Sequence, residues 1–375
     1  MFRNYKIKNL NIKLIIAVFV LSLIGIAVVA SANPDYQSKQ MQGVVLGIIA
    51  MTFVALIDYD FILQFSWLAY IGTLGLLLLV LVAGDSSGGA QRWLVIPGIN
   101  FRFQPSELGK LLLIIFFSML LMKWEEEVNT PKCLLKLAAL AGIPLVMILK
   151  QPNLSTTIVT FLIIATMIFV AGLNYKIVGT VLAVVIPLVI LIIALVLSGH
   201  GGFLLGYQGE RILGWLRPEE YPQIAYQQQN SIMAIGSGQI FGKGLNNTDF
   251  DSVKNGNFIS EPQTDFIFAV AGEELGFVGG VVIVILLCVI TVECFLTANK
   301  AKDLSGKLVC TGVGALIGFQ SFVNICVVTG LFPNTGLPLP FVSYGLTSLV
   351  TLYMGIGMVL NVGLQAKNAN RRGRL

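Results

Sequence analysis

The chain has 375 residues, of which 56% are hydrophobic and only 11% charged, with a formal net charge of +5. Soluble domains carry about 25% charged residues, so this sequence lacks the charge to clothe a water-facing surface. Its apolar runs are continuous rather than alternating and roughly 20 residues long, which excludes a membrane β-barrel and defines an all-α polytopic membrane protein.

Ten spans follow in chain order, at 12–32, 41–57, 62–83, 106–122, 133–149, 153–171, 177–198, 266–297, 308–330 and 342–365. The first is preceded by Arg3 to Lys13 but is too long, and lacks a small-residue cleavage site, for a signal peptide; it reads as a retained anchor. With both termini cytoplasmic, the inner side receives most of the 24 Lys and Arg, from Lys13 through Lys123, Lys176 and Lys302 to the tail 366–375. This bias accounts for the positive charge, so no nucleic-acid partner is implied. The whole chain, 1–375, reads as a single membrane domain without internal repeats. Cys133, Cys288, Cys294, Cys310 and Cys326 lie in or beside spans, an arrangement that predicts neither a disulfide framework nor a metal cluster.

Between spans three and four, the segment 84–105 is punctuated by Gly and Pro and reads as a structured turn leading into a helix. Pro105 suits the first helical position, and Glu107 in the first turn favours the helix dipole. Glu107 and Lys110, three apart, share a helix face and can pair. An ionisable residue inside an apolar run is costly, so Lys110 is either a stabilising partner or part of a functional site. Beyond span five, Lys150 can snorkel, Pro152 sets a turn and Asn153 is placed to cap the next helix.

The most distinctive stretch is the polar segment 199–265 between spans seven and eight, which the orientation puts on the outer face. A long loop with its own pattern of Gly, Gln and charge points to function rather than connection. It carries His200, read as a loop polar contact, and ends at Asp265, at the mouth of span eight. Asp265 is either the N-cap of that helix or a carboxylate whose burial raises its pKa toward that of a useful base. Glu273 and Glu274 lie deeper and read as interior contacts between helices. The segment 330–345, with Pro333, Pro338 and Pro340, describes a rigid re-entrant loop, tolerated at membrane depth only where protein or a water-filled cavity surrounds it.

Taken together and in order, several of these motifs resemble the SEDS family (shape, elongation, division and sporulation), most closely its RodA-like members. They are Arg92-Trp93 with Phe103-Gln-Pro-Ser-Glu107 and Lys110; Lys150-Gln-Pro152; Gly206-Tyr-Gln208 with Arg211; Tyr226-Gln227; Gly236-Ser-Gly238; Gly242-Lys-Gly244; Thr264-Asp-Phe266; Glu273-Glu-Leu-Gly276; and Thr335-Gly-Leu-Pro-Leu-Pro-Phe341 with Ser343-Tyr-Gly345. The resemblance covers nearly the whole chain. It implies a peptidoglycan glycosyltransferase that polymerises lipid II at the outer face of the bacterial plasma membrane, alongside a class B penicillin-binding protein and other elongation or division proteins.

On this resemblance Asp265 matches the family's essential aspartate, and Arg92, Trp93, Glu107, Lys110, Lys150, Gln208, Arg211, Glu273 and Ser343 become candidate substrate-binding or supporting residues. A lipid-pyrophosphate donor already carries its leaving group, so one base suffices for an inverting displacement, with cations near the departing pyrophosphate. Arg92, Lys110, Lys150 and Arg211 are the available cations. No dense carboxylate cluster offers a protein-held metal site, so any Mg²⁺ or Mn²⁺ is expected to arrive with the substrate. The sequence departs from the family pattern at Asn153, Asn334 and Leu346-Thr347. A flippase or other transporter, a scaffold, and a division or sporulation paralogue are the competing readings. The Gly-rich ninth span, Gly312, Gly314 and Gly318, offers a small-residue surface either for a partner or for packing within the protein.

Overall fold

The computed structural model describes residues 5–87, 90–96, 101–198, 207–247, 252, 256 and 258–366. His200 and the tail from 367 onward lie outside them. Among the described residues the chain forms helices α1 (Ile12–Ala32), α2 (Gln37–Leu56), α3 (Tyr59–Gln64), α4 (Ser66–Ala83), α5 (Pro105–Lys123), α6 (Pro131–Lys150), α7 (Leu154–Val170) and α8 (Tyr175–Leu197). Then come α9 (Tyr207–Leu216), α10 (Pro222–Ser237), α11 (Ile267–Ala298), α12 (Leu304–Val328) and α13 (Leu346–Leu364).

Nine of these helices are long and apolar enough to cross a membrane. The sixth expected span forms α7, a 17-residue apolar helix, about 26 Å at 1.5 Å per residue and so short of a full hydrocarbon core. The third expected span is divided at Phe65 into α3 and α4.

The bundle is built around α5, α12 and α13, the most buried of the long helices. Of the others, α2 packs along α13, while α11 lies against α12 and α1. The glycines of α12 serve this packing. A Cβ at Gly312 would stand 2.6 Å from Ile114 Cγ2, one at Gly314 3.1 Å from Cys294 Cβ, and one at Gly318 3.1 Å from Thr291 Cγ2. Those small residues therefore receive neighbouring helices of the same chain, so of their two readings it is packing within the protein that holds, not a partner surface. At the opposite extreme, Val196 is the one buried residue of α8.

The segment 84–105 holds a three-stranded antiparallel sheet, β1 (Asp85–Ser87), β2 (Ala90–Ile96) and β3 (Phe101–Phe103), in the order β1-β2-β3. Among the described residues it is the one departure from an all-helical reading. Its signal was present in the β-favouring runs Trp93-Leu-Val-Ile96 and Phe101-Arg-Phe103.

Within 199–265 the loop is organised by two helices. Pro222 starts α10 at its first turn, and buried side chains fasten this helix to the end of α12. Gln228 Nε2 donates to the carbonyls of Val327 (2.6 Å) and Phe332 (2.7 Å), and Ser231 Oγ to that of Val328 (2.8 Å). Val327 and Val328 belong to the last turn of α12 and Phe332 lies just beyond it, so the bonds fix the exit from that helix.

Helix α11 is interrupted at Gly276, whose φ of 66° lies in the left-handed region that glycine adopts without steric cost. The backbone groups freed by the interruption pair with the loop 238–244. Lys243 N and Gly244 N donate to the carbonyls of Glu273 and Glu274, while Phe277 N and Val278 N donate to those of Gln239 and Ile240, at 2.8–3.1 Å. Residues 267–274 are buried in protein, whereas much of 277–298 faces outward. The expected eighth span is therefore a membrane-crossing helix preceded by a short helix enclosed by protein.

Candidate functional site

Asp265 closes the long loop two residues before α11. The N-cap position is Phe266, without a side-chain cap bond, so the Asp265 carboxylate does not cap this helix. The segment 335–343 runs beside it instead. Ser343 Oγ donates to Thr264 O at 2.7 Å and accepts from Leu339 N at 2.7 Å, and Tyr344 N donates to Gln263 O at 2.9 Å. Ser343 thus clamps one irregular segment to another.

Gly336 lies against the carboxylate. A Cβ built there would stand 3.0 Å from Asp265 Oδ2 and 3.7 Å from Arg92 Nη1, so one point in the structure is flanked by both groups. Its φ of 72° also disfavours a side chain. Gly336→Ala is expected to push the Asp265 carboxylate aside and lower turnover about 10–100-fold, the scale on which a small misplacement of a reacting group acts. A polymerisation assay on the purified variant, with its elution profile as folding control, checks this.

Arg92 reaches the site from β2. Its Nη2 donates to the carbonyl of Pro152, and its Nε lies 3.4 Å from that of Gln151. The turn after α6 therefore contributes two carbonyls, while Lys150 itself is exposed at the helix end. Asn153 Oδ1 accepts from Thr156 N at 3.3 Å, as expected of a cap for α7. Trp93 follows Arg92 on the strand, opposite Asp85 in the β1–β2 register, with its side chain half-buried. From α9, Arg211 Nη1 donates to Asn334 O at 2.8 Å. Gln208 sits at the start of α9; its side chain lies outside the described residues. Arg92 and Arg211, with Ser155, Asn334 and Thr335, line a cavity of about 30 Å³.

Burial raises the pKa of Asp265 from 3.8 to about 6; Arg92 and Arg211 pull it down, and Glu261 and Glu107 push it up. Desolvation penalises the carboxylate more than the two guanidiniums repay. The result is a half-buried acid that is ionised at neutral pH yet more basic than an exposed aspartate. Among the described residues no group of three or more His, Cys, Asp or Glu converges as a metal site. The positive charge beside Asp265 is supplied by guanidiniums.

Glu107 and Lys110 meet as their spacing predicts, at 2.7 Å, and both are buried. Ser348 Oγ donates to Glu107 Oε2 at 2.8 Å, and Lys110 Nζ donates to Gln320 Oε1 at 2.6 Å. The pair is thereby built into the contact between α5, α12 and α13. Glu273 lies elsewhere, pairing with Lys243 at 2.8 Å beside the interruption of α11, and Glu274 Oε1 accepts from Ser31 Oγ at 2.6 Å. The structure thus brings Asp265, Arg92, Arg211 and Ser343 together, carries Glu107 and Lys110 to the same segment through α12, and places Glu273 at a structural joint. Asn324, unremarked in the sequence because it sits in an apolar run, donates through Nδ2 to both Asp265 O (2.8 Å) and Leu337 O (2.6 Å).

A bundle of apolar helices enclosing a carboxylate flanked by guanidiniums defines an integral membrane protein with a polar site at one end. Comparison with known proteins makes this specific: residues 5–368 match the family described as "Cell cycle protein", which groups FtsW, RodA and SpoVE, and the chain belongs to that family. It is therefore a multi-pass bacterial membrane protein. It is 31% identical to the probable peptidoglycan glycosyltransferase FtsW of Geobacter sulfurreducens, over 97% of this chain and 98% of that one. It is also 34% identical to the stage V sporulation protein E of Bacillus subtilis, over 94% and 96%. A chain in a solved structure described as "Structural coordination of polymerization and crosslinking by a peptidoglycan synthase complex" superposes with a TM-score of 0.78 at 27% identity, covering 98% of this chain and 99% of that one.

Proposed function

We propose that this chain is a peptidoglycan glycosyltransferase that polymerises lipid II, with Asp265 as the general base and the site end of the bundle on the outer face of the membrane. The observation that carries the proposal is the half-buried Asp265, held between two irregular segments and flanked by Arg92 and Arg211. Asp265 takes the proton of the acceptor hydroxyl as its oxygen forms a bond to the anomeric carbon of the donor. The bond to the lipid pyrophosphate breaks with inversion, and the proton passes from Asp265 to solvent. The negative charge that develops on the departing pyrophosphate is met by Arg92 and Arg211. A divalent ion carried in by the pyrophosphate would add to that charge compensation. The similarity to a chain from a complex of polymerisation and crosslinking supports a crosslinking partner, proposed as a class B penicillin-binding protein.

The deciding experiment incubates purified chain with lipid II, alone and with such a partner, and resolves the products as glycan ladders. Long glycan is the expected product. Lipid II translocated across vesicles without polymer would replace this reading with a flippase. The RodA-like motifs point to elongation, whereas the relatives named above belong by name to division and sporulation; the chemistry proposed is common to all three.

A base with pKa about 6 sets the pH dependence. Activity is expected to rise as pH increases through about 6, because only the ionised carboxylate accepts the proton. Stability runs the other way: the folded-state pKa lies above the unfolded value, so ionised Asp265 costs stability above pH 6, and that cost is relieved as pH falls. A pH–rate profile of wild type, with thermal unfolding at the same pH values, reads both.

A further inference from the structure

We propose that Asn324 is a positioning residue for the reaction: its side-chain amide holds the backbone of Asp265 and the carbonyl of Leu337 at fixed separation, which sets the carboxylate against Gly336 and Arg92. The proposal rests on the reading of Asp265 as the base. Nδ2 of Asn324 reaches Asp265 O at 2.8 Å and Leu337 O at 2.6 Å, and the residue is 1% exposed. Both acceptors lie in irregular backbone, where no helix or strand fixes the chain. One turn earlier on the same face of α12, Gln320 repeats the device: Nε2 donates to Pro338 O at 3.0 Å while Oε1 accepts from Lys110 Nζ at 2.6 Å. Successive carbonyls of the segment that carries Gly336 are thus held by successive turns of one helix. Only Asn324 extends the ladder to Asp265.

Releasing that amide frees the Asp265 backbone and the Gly336 segment to separate. The carboxylate would then gain water and lose its fixed approach to the acceptor hydroxyl. Substrate contacts made by other residues would persist, so turnover rather than KM is the quantity at risk.

Full-length Asn324→Leu, close in shape but unable to donate, is assayed for lipid II polymerisation beside wild type, Gly336→Ala, the Asn324→Leu/Gly336→Ala double variant and Asp265→Asn. Expected are a kcat lowered about 10–100-fold, KM within about twofold, and an acid limb displaced below pH 6 as burial of Asp265 relaxes among Arg92, Arg211, Glu261 and Glu107. Because both single changes displace the same carboxylate, the double variant should lose little more than the worse single one. An Asn324→Leu that raises KM at unchanged kcat, or one whose loss multiplies with that of Gly336→Ala while the acid limb stays in place, overturns the proposal. A wild-type-like Asn324→Leu beside an inactive Asp265→Asn overturns it too, leaving the base assignment standing; an active Asp265→Asn overturns both. If Asn324→Leu aggregates, Asn324→Ser, which can donate but is too short to bridge both carbonyls, is read in the same way.

Discussion

Asp265→Asn is expected to abolish glycan polymerisation while leaving the protein folded. The substitution is nearly isosteric and removes the only function that the mechanism asks of this side chain, acceptance of a proton. General-base catalysis is worth about 10²–10⁴-fold, and the amide offers no substitute. Stability should hold or improve slightly, because a carboxylate whose pKa burial raises to about 6 is disfavoured by its surroundings at neutral pH. Glycan ladders from wild type and variant at matched concentrations, with thermal unfolding as control, test the pair of expectations. Ladders of wild-type length from Asp265→Asn would sink the base assignment.

The second large effect is on stability. Lys110→Met should destabilise the protein by about 3–5 kcal/mol, because removing one partner of a buried ion pair leaves the other charge uncompensated. Glu107 would keep the hydroxyl of Ser348 but lose the ammonium 2.7 Å away, and Gln320 would lose the donor to its Oε1. Replacing both members, as Glu107→Leu with Lys110→Met, should recover much of the apparent Tm, since a well-packed apolar pair is often neutral or better. Activity should not return with it, because Gln320 would no longer be held on its Lys110 side. Thermal unfolding and polymerisation of the two variants separate these consequences. Equal loss of Tm in both would mean that packing, not the uncompensated charge, carries the cost.

How much of this was legible in the sequence depends on how local each signal is. Pro105, Glu107 and Lys110 announce a helix start and an i,i+3 pair, and Asn153 announces a cap, because these relations close within one turn of chain. The apolar runs likewise give most of the spanning helices to within a few residues. The small sheet is harder, since its strands are short and lie among Gly and polar residues. The helices Tyr207–Leu216 and Pro222–Ser237 were hidden because they are short and polar in composition: Pro222–Ser237 docks through Gln228 and Ser231 onto the end of α12, and Tyr207–Leu216 packs against it and α8.

Of the site, Asp265 could be singled out by position, but its reading as a cap fell only once Phe266 was found at the cap. Gly336 looked like one of several turn glycines. Asn324 and Gln320 sit in a run whose composition says membrane, and their role depends on carbonyls that the sequence brings near only after folding. Lys150 could be singled out by charge, whereas the carbonyls of Gln151 and Pro152 in the turn after it, which meet Arg92, carry no such signal.

The interruption at Gly276 bears on how the protein is made. Unpaired backbone groups cost several kcal/mol each in hydrocarbon, so the two parts of α11 are stable together only when the loop 238–244 is already in place to take up Glu273 O, Glu274 O, Phe277 N and Val278 N. That loop precedes α11 in the chain and leaves the ribosome first. The partner of the interruption is therefore synthesised before the helix that needs it, and the joint in α11 can close only when that loop stands beside it.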